Sequence, residues 1–282
     1  MQSRSTIPTG ASIKASRLDV IDPQRLKKQK LMMVLLNSPI VLVHGLFGHL
    51  ADPNILTAFG TADVYAPDLL GYGHYKHCAP ENLTLTDQAH HVAAYIRRLA
   101  RNKVHLVGHS VGGAVAVLVC SLYPELVASF TSVEGNFTLK DAFWSGQVAQ
   151  KPLTEVTAIM DRYKADPDAW IAAAGVPITA WTSTLARSWL ANQPASTIRA
   201  QAQAVVAATG ADQYLTDIRH LLTSSTPMYL IAGARSSAGW DVPEWANAGC
   251  AMRINIPNAG HLMMVEDPAR FATAVLTCLH YE

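Results

Sequence analysis

What this sequence most lacks is an excess of charge of either sign. Its 22 Lys and Arg are nearly cancelled by 21 Asp and Glu, so there is no basic footprint of the kind that grips nucleic acid through its phosphates. Charged residues are also few, 15% of the chain, whereas half of it is hydrophobic; that balance suits a protein with a sizeable buried core. No apolar run reaches the roughly 20 residues that a membrane span needs, and no partner in a membrane is expected. Cysteine is scarce. Cys78, Cys120, Cys250 and Cys278 stand far apart in or beside apolar segments, a pattern of buried thiols kept reduced in a cytoplasm rather than of a disulfide framework. The 11 histidines are scattered without metal-site spacing, so neither a metal nor another cofactor is implied. Internal repeats and low-complexity tracts are absent as well.

The N-terminal stretch RLKKQKLMMVLL has the look of a charged segment leading into the apolar core of a secretion signal. Its apolar run, however, is broken by NSP and resumes as IVLVHG, and no small-residue cleavage site follows. Residues 1–34 therefore read as a polar N-terminal extension, with Met32 and Met33 as alternative starts, and the expected location is cytoplasmic. A chain of 282 residues accommodates one large domain with an insertion or two modest domains.

What is present is a repeated strand–helix rhythm. The short apolar run PIVLV (39–43) ends in HGLFGH, as strands buried on both faces of a parallel sheet do. ADVYAPDLLGYGH repeats the pattern, with a strand ending at Pro67–Asp68. TLTDQAHHVAAYIRRLARN is helical, with Thr86 or Asp87 as its N-cap. KVHLVGHS is the next strand, VGGAVAVLVCSLYP a small-residue helix stopped by Pro124, and VASFTSVEG another strand. From about Thr138 to Ser224 no strand is evident. Helical pieces follow one another instead, punctuated by Pro152, Pro167, Pro177 and Pro194, three of them at or near helix starts. The rhythm resumes with PMYLIAGA (227–234), AMRINIP (251–257) and a closing helix opened by Glu266–Asp267–Pro268. The predicted fold class is α/β: a mostly parallel sheet flanked by helices (residues 35–137 and 225–282), interrupted by an all-helical insert (138–224).

The strongest chemical signal is GHSVGG. Gly108, Ser110 and Gly112 fit G-x-S-x-G, with an apolar strand running in and a helix running out, the setting a nucleophile elbow requires. A serine needs a base to take its proton, and His261 offers one on the loop PNAGH after the last apolar strand. The oxyanion formed on attack needs backbone donors; Val111, after the nucleophile, and Leu46, in HGLFGH, are the candidates. Phe47 and His49, beside that loop, and Trp144 in the insert are candidate pocket residues. Four of the six tryptophans (Trp144, Trp170, Trp181 and Trp189) fall in the insert.

Together VLVHGLFGH, VYAPDLLGYGH, VHLVGHSVGG and INIPNAGHLMMVEDP resemble the successive landmarks of the α/β-hydrolase superfamily, in the right order, over roughly residues 35–137 and 225–282. The insert sits where that superfamily carries its cap. The resemblance implies a serine esterase-like enzyme without cofactor. It also exposes a departure: the family's usual acid, in G-x-x-D after the strand PMYLIAGA, is replaced by Ser236 in GARSSAGWD. Either Asp241 reaches in from further along that loop, or Glu134, after the preceding strand (the sixth in the family's counting), takes its place. Some members, haloalkane dehalogenases among them, place the acid there, and EGN resembles a motif of esterase-like members lacking the usual aspartate. Parallel neighbours end at one sheet edge, so Glu134 and Ser110 should emerge together. Haloalkane dehalogenases and epoxide hydrolases of this fold use an elbow aspartate, so Ser110 points to an ester or thioester of a small, largely apolar acyl or aromatic group, handled through an acyl-enzyme. The alternatives are a non-hydrolytic member (perhydrolase or lyase) and a ligand-binding protein on the same scaffold. A small-molecule substrate is the expected partner; a homodimer is left open.

Overall fold

The apolar runs become six strands: β1 (Ile40–Val43), β2 (Val64–Tyr65), β3 (Val104–His109), β4 (Val127–Val133), β5 (Met228–Gly233) and β6 (Met252–Ile256). In the computed structural model, which describes residues 38–78, 82–99 and 103–280, they form one sheet in the order β2-β1-β3-β4-β5-β6, every pair parallel. Strands β1, β3, β4 and β5 are buried along their whole length. A parallel sheet is covered on both faces, and for that reason these strands read as unbroken apolar runs rather than alternating ones. The edge strands are less covered. Strand β2 is shorter than its sequence suggested, stopping before Pro67, which lacks the N–H a ladder needs. The expected N-terminal extension and its alternative starts lie outside the described residues.

Helices clothe the sheet on both sides. On one face lie α2 (Leu85–Arg98) and α3 (Val111–Leu122) in the same core as Val41, Val43, Leu106 and Phe130; on the other, Ile40, Leu42, Val107 and Val133 share a core with α1 (Pro53–Thr57) and α12 (Pro268–Leu279). Helix α2 starts two to three residues earlier than expected. Its N-cap is Thr84, not Thr86 or Asp87, because Thr84 and Asp87 cap one another: Asp87 N–H donates to Thr84 Oγ1 at 3.1 Å and Thr84 N–H donates to Asp87 Oδ2 at 2.9 Å. Asp267 caps α12, with Pro268 at its first position, as the sequence indicated.

Between β4 and β5 run six helices and no strand: α4 (Phe143–Ala149), α5 (Leu153–Ala165), α6 (Pro167–Ala173), α7 (Ala180–Ala191), α8 (Ala195–Thr209) and α9 (Asp212–Thr223). Pro152 and Pro194 are N-caps and Pro167 opens α6. Pro177 stands before the Thr179 cap of α7, and its carbonyl accepts from the Thr182 hydroxyl. A buried amide pair, Gln88 Nε2 donating to Gln201 Oε1 at 2.8 Å, ties α8 to α2. After β5 come α10 (Glu244–Gly249) and, after β6, α11 (Met263–Glu266). The four cysteines are free; Cys120 and Cys278 are buried as expected, while Cys78 is exposed. No helix of the described residues is long and apolar enough to cross a membrane.

The register of the sheet sets up the site. His109 pairs with Val133, and Val133 with Ile231, so β3 and β4 stop together at their carboxyl ends while β5 runs on past that level to Gly233. Helix α3 must then lie close to the chain leaving β4: a Cβ on Gly113 would stand 2.5 Å from Gly135 Cα. Gly113→Ala is therefore expected to destabilise the protein by about 1–3 kcal/mol, read as a lower urea midpoint with an unchanged denaturant slope.

Candidate active site

Ser110 leaves β3 with φ 53° and ψ −124°, a conformation that a side chain tolerates only when its surroundings impose it. They do so with backbone bonds: Ser110 N–H donates to Val133 O, and Ser110 O accepts from the N–H groups of Gly113 (2.8 Å) and Asn136 (3.3 Å). The flanking glycines are compulsory. A Cβ on Gly108 would lie 2.4 Å from Gly112 O, and one on Gly112 would lie 2.3 Å from Val43 O. The strand–turn–helix thus lifts the serine above the sheet edge.

Glu134 emerges one strand over, at φ 42°. Among the described residues, only three other than glycine have positive φ: Ser110, Glu134 and Asn258, the last in the turn leading to His261. Glu134 Oε2 lies 2.6 Å from His261 Nδ1. Its other oxygen, Oε1, accepts from Gly233 N–H at 2.8 Å and from the Ser236 hydroxyl at 2.5 Å. The serine that replaces the expected aspartate is thus a donor to the carboxylate at the other position. Burial pushes the Glu134 carboxyl up, but the hydrogen bond and charge of His261, with the bonds from Ser236 and Gly233, outweigh it and hold the group below the ordinary carboxylate range. Asp241 is occupied elsewhere. It accepts from the Thr138 hydroxyl at 2.7 Å and stands 3.6 Å from Lys140 Nζ. Of the two acids weighed from the sequence, the one brought to His261 is Glu134.

The histidine loop is anchored beneath by His109. Burial holds that imidazole well below its ordinary pKa, so it is neutral, and its Nε2–H donates to the His261 carbonyl at 3.0 Å. The His261 side chain itself is 44% exposed against 4% for Glu134, leaving its other nitrogen open to the cavity. No hydrogen bond joins the Ser110 hydroxyl to the His261 ring; nucleophile–base bonds of this kind tighten around substrate.

Both residues line one cavity of about 630 Å³. Leu46 and Phe47 line it from the loop after β1, and Trp144, Tyr163, Trp170 and Trp189 from the insert. Phe47 is the hub, its ring centroid 4.7 Å from Trp144, 5.5 Å from Trp170 and 6.4 Å from Tyr163. His49 does not belong to it. Beyond the turn at Gly48 (φ 73°) its ring faces α7, where Nε2 meets Ser188 Oγ at 3.1 Å. Trp181 also turns away, donating to Asp52 Oδ1. Asn136, the last residue of the EGN stretch, lines the cavity too, as does Tyr163, which carried no sequence motif and was reachable only through the helical period of α5.

The loop holding Leu46 is fixed from two sides. The Tyr72 hydroxyl donates to Leu46 O at 2.8 Å. His44 donates through Nδ1 to Gly45 O and accepts the Leu69 N–H at Nε2. The Leu46 and Val111 amides donate to no acceptor among the described residues, and Val111, first in α3, has no intrahelical acceptor.

Two pH effects on stability follow. Burial, opposed by smaller effects, depresses His44 to about 4 from 6.5. The unfolded chain therefore binds more protons than the native one between those values, and stability falls as pH drops through that window. His44 accounts for up to about 3 kcal/mol of the fall, so a urea titration of His44→Gln should show a shallower decline there. Ser236→Ala removes a donor from ionised Glu134 and is expected to destabilise by about 1.5–3 kcal/mol at neutral pH. Because the folded carboxyl is depressed, that deficit should shrink as pH falls through its range and Glu134 protonates.

A family model described as the alpha/beta hydrolase family matches residues 40–274. Among curated proteins, ethanol acetyltransferase 1 of Eremothecium cymbalariae is 38% identical over 96 residues, 32% of this chain and 26% of that protein. A triacylglycerol lipase of Vibrio cholerae is 37% identical over 106 residues, 34% of this chain and 32% of that protein. The chain thus spans only about a quarter to a third of the length of these relatives. A solved carboxylesterase of Nitrososphaera superposes with a TM-score of 0.68 at 16% identity, covering 87% of this chain and 90% of that one. The epoxide hydrolase CorEH does so with a TM-score of 0.61 at 18% identity, covering 85% and 90%; at such identities the likeness is one of fold. With the parallel sheet, the elbow at Ser110 and a family match over most of its length, the chain belongs to the alpha/beta hydrolase family.

Proposed function

We propose that the protein is a serine hydrolase acting on a carboxylic ester or thioester through an acyl-enzyme. The observation that carries this reading is the 2.6 Å contact of Glu134 Oε2 with His261 Nδ1 on the wall of the cavity that Ser110 lines. In the proposed cycle Ser110 Oγ attacks the carbonyl carbon and its proton passes to His261 Nε2. Glu134 holds the ring by Nδ1–H and stabilises the imidazolium. The Leu46 and Val111 amides receive the oxyanion; the Val111 amide also lies at the positive end of α3. Collapse of the tetrahedral intermediate expels the alcohol or thiol with the proton from His261. Water, deprotonated by the same nitrogen, then releases the acid.

The helical insert acts as a cap in this reading, and its aromatic wall favours a small, largely apolar acyl or aryl group. The cavity volume, about 630 Å³, lies within the range that small-molecule sites occupy, roughly 300–1,000 Å³. An alcohol in place of water would make the same acyl-enzyme a transferase, and the stretch shared with ethanol acetyltransferase 1 favours testing that outcome.

A fluorophosphonate probe should label Ser110, and a panel of 4-nitrophenyl acyl esters should be turned over, with ethyl esters sought when ethanol is added. Absence of both labelling and turnover, at every chain length, would sink the reading. Glu134→Gln should lower kcat roughly a thousandfold to ten-thousandfold, whereas Asp241→Asn should stay within about threefold of wild type. The reverse order would assign the acid to Asp241.

A further inference from the structure

Glu266 was expected only to open the last helix, yet its side chain is 7% exposed and both oxygens are engaged at the histidine loop. Oε1 accepts the Gly260 N–H at 2.9 Å, one residue before His261. Oε2 pairs with Arg235 Nη2 at 2.6 Å. The same Nη2 donates to Gly175 O at 3.2 Å, in the turn between α6 and α7, and Arg235 N–H donates to Ala259 O at 2.9 Å. Space for the guanidinium is made by two glycines. A Cβ on Gly260 would stand 2.9 Å from Arg235 Nη2 and 3.0 Å from Glu266 Oε1, and one on Gly175, where φ is +83°, 3.0 Å from the same Nη2. The residues just before Gly175, Ala173 and Ala174, are part of the cavity wall.

One ion pair thus spans three pieces of chain: the insert, the loop after β5 and the loop that carries His261. We propose that Arg235 and Glu266 form a latch through which the helical insert sets the position of His261, Glu266 being a positioning residue and Arg235 its link to the cavity wall. The proposal rests on the serine-hydrolase reading for its effect on turnover, but its geometry is independent of which reaction the site performs. A bond to a carboxylate shielded from water is among the stronger hydrogen bonds, and the half-exposed position of Arg235 leaves the latch open to screening by salt. Ser236, next in the chain, donates to Glu134, so a single turn steadies the acid with one residue and the histidine loop with its neighbour.

The test compares Glu266→Ala, Glu266→Gln, Arg235→Met and Arg235→Lys. In each, exchange of the His261 Nδ1 proton with water is followed by NMR, kcat and KM are measured on 4-nitrophenyl acetate, and a thermal melt confirms folding. Loss of the latch should speed that exchange and lower kcat by about tenfold in Glu266→Ala and Arg235→Met, with KM held within about threefold. Glu266→Gln keeps an acceptor for Gly260 and Arg235→Lys keeps the charge, so both should recover most of the loss. Exchange and kcat within twofold of wild type in folded Arg235→Met would overturn the link to the insert, and the same in folded Glu266→Ala would overturn the positioning role. A rise in KM alone would overturn the proposal too, since it would mark a collapsed wall and not a displaced base. If Glu266→Ala does not fold, Glu266→Gln and Arg235→Met decide by the same readouts. The proton exchange is measured whether or not the ester is turned over, so failure of the hydrolase reading, seen as an unlabelled Ser110 in the wild type, is separate from failure of the latch.

Discussion

The carboxylate of Glu134 is the point on which the site depends, because its two oxygens face different parts of the molecule. Oε2 meets His261, while Oε1 is held by a backbone amide and a hydroxyl from the turn after β5. A carboxylate so bound cannot rotate without breaking two bonds, and the imidazole opposite it inherits that fixed direction. The arrangement is available because β3 and β4 end level with one another while β5 runs on to Gly233, whose N–H reaches Glu134; this in turn requires parallel pairing and a helix close enough to touch Gly135.

Strain is concentrated on the same few positions. The left-handed backbone at Ser110 and Glu134 is unfavourable for any residue with a side chain, and each is held there by bonds made by the sheet ends: Ser110 N–H to Val133 O and Glu134 N–H to Ile231 O. The stable core therefore supports two side chains of the candidate site in conformations they would not adopt alone. Above them the insert supplies aromatic area and little charge, with Phe47 from the core loop packed among rings from three different helices.

Much of this was legible in the chain. Strand order of appearance, the elbow, the late histidine and the helical insert all rest on local patterns of period and turn chemistry, and these survive folding because the buried sheet demands them. Ser236 in place of an aspartate was legible too, as an absence, and it directed attention to Glu134. What the sequence could not carry were contacts between distant segments. Nothing near Arg235 or Gly175 announces that they meet, and Tyr163 looks like any helical tyrosine until α5 is laid over the cavity. His49 failed for a simpler reason. Adjacency to Phe47 suggested a shared pocket, but Gly48 turns the chain between them, so neighbours in sequence face different helices. The N-cap of α2 was missed because a reciprocal pair moves the start to Thr84 and makes Asp87 the third residue.

The 2.5 Å bond between Ser236 and Glu134 has a bearing on why the two acid positions are not both filled. A carboxylate at 236 would confront Glu134 across a distance at which two like charges cannot both stay ionised. One would keep a proton and become a neutral donor, which is the part the serine hydroxyl already plays. The two locations for the acid are thus mutually exclusive as anions, and a chain that commits to one of them is best served by an uncharged hydrogen-bond donor at the other.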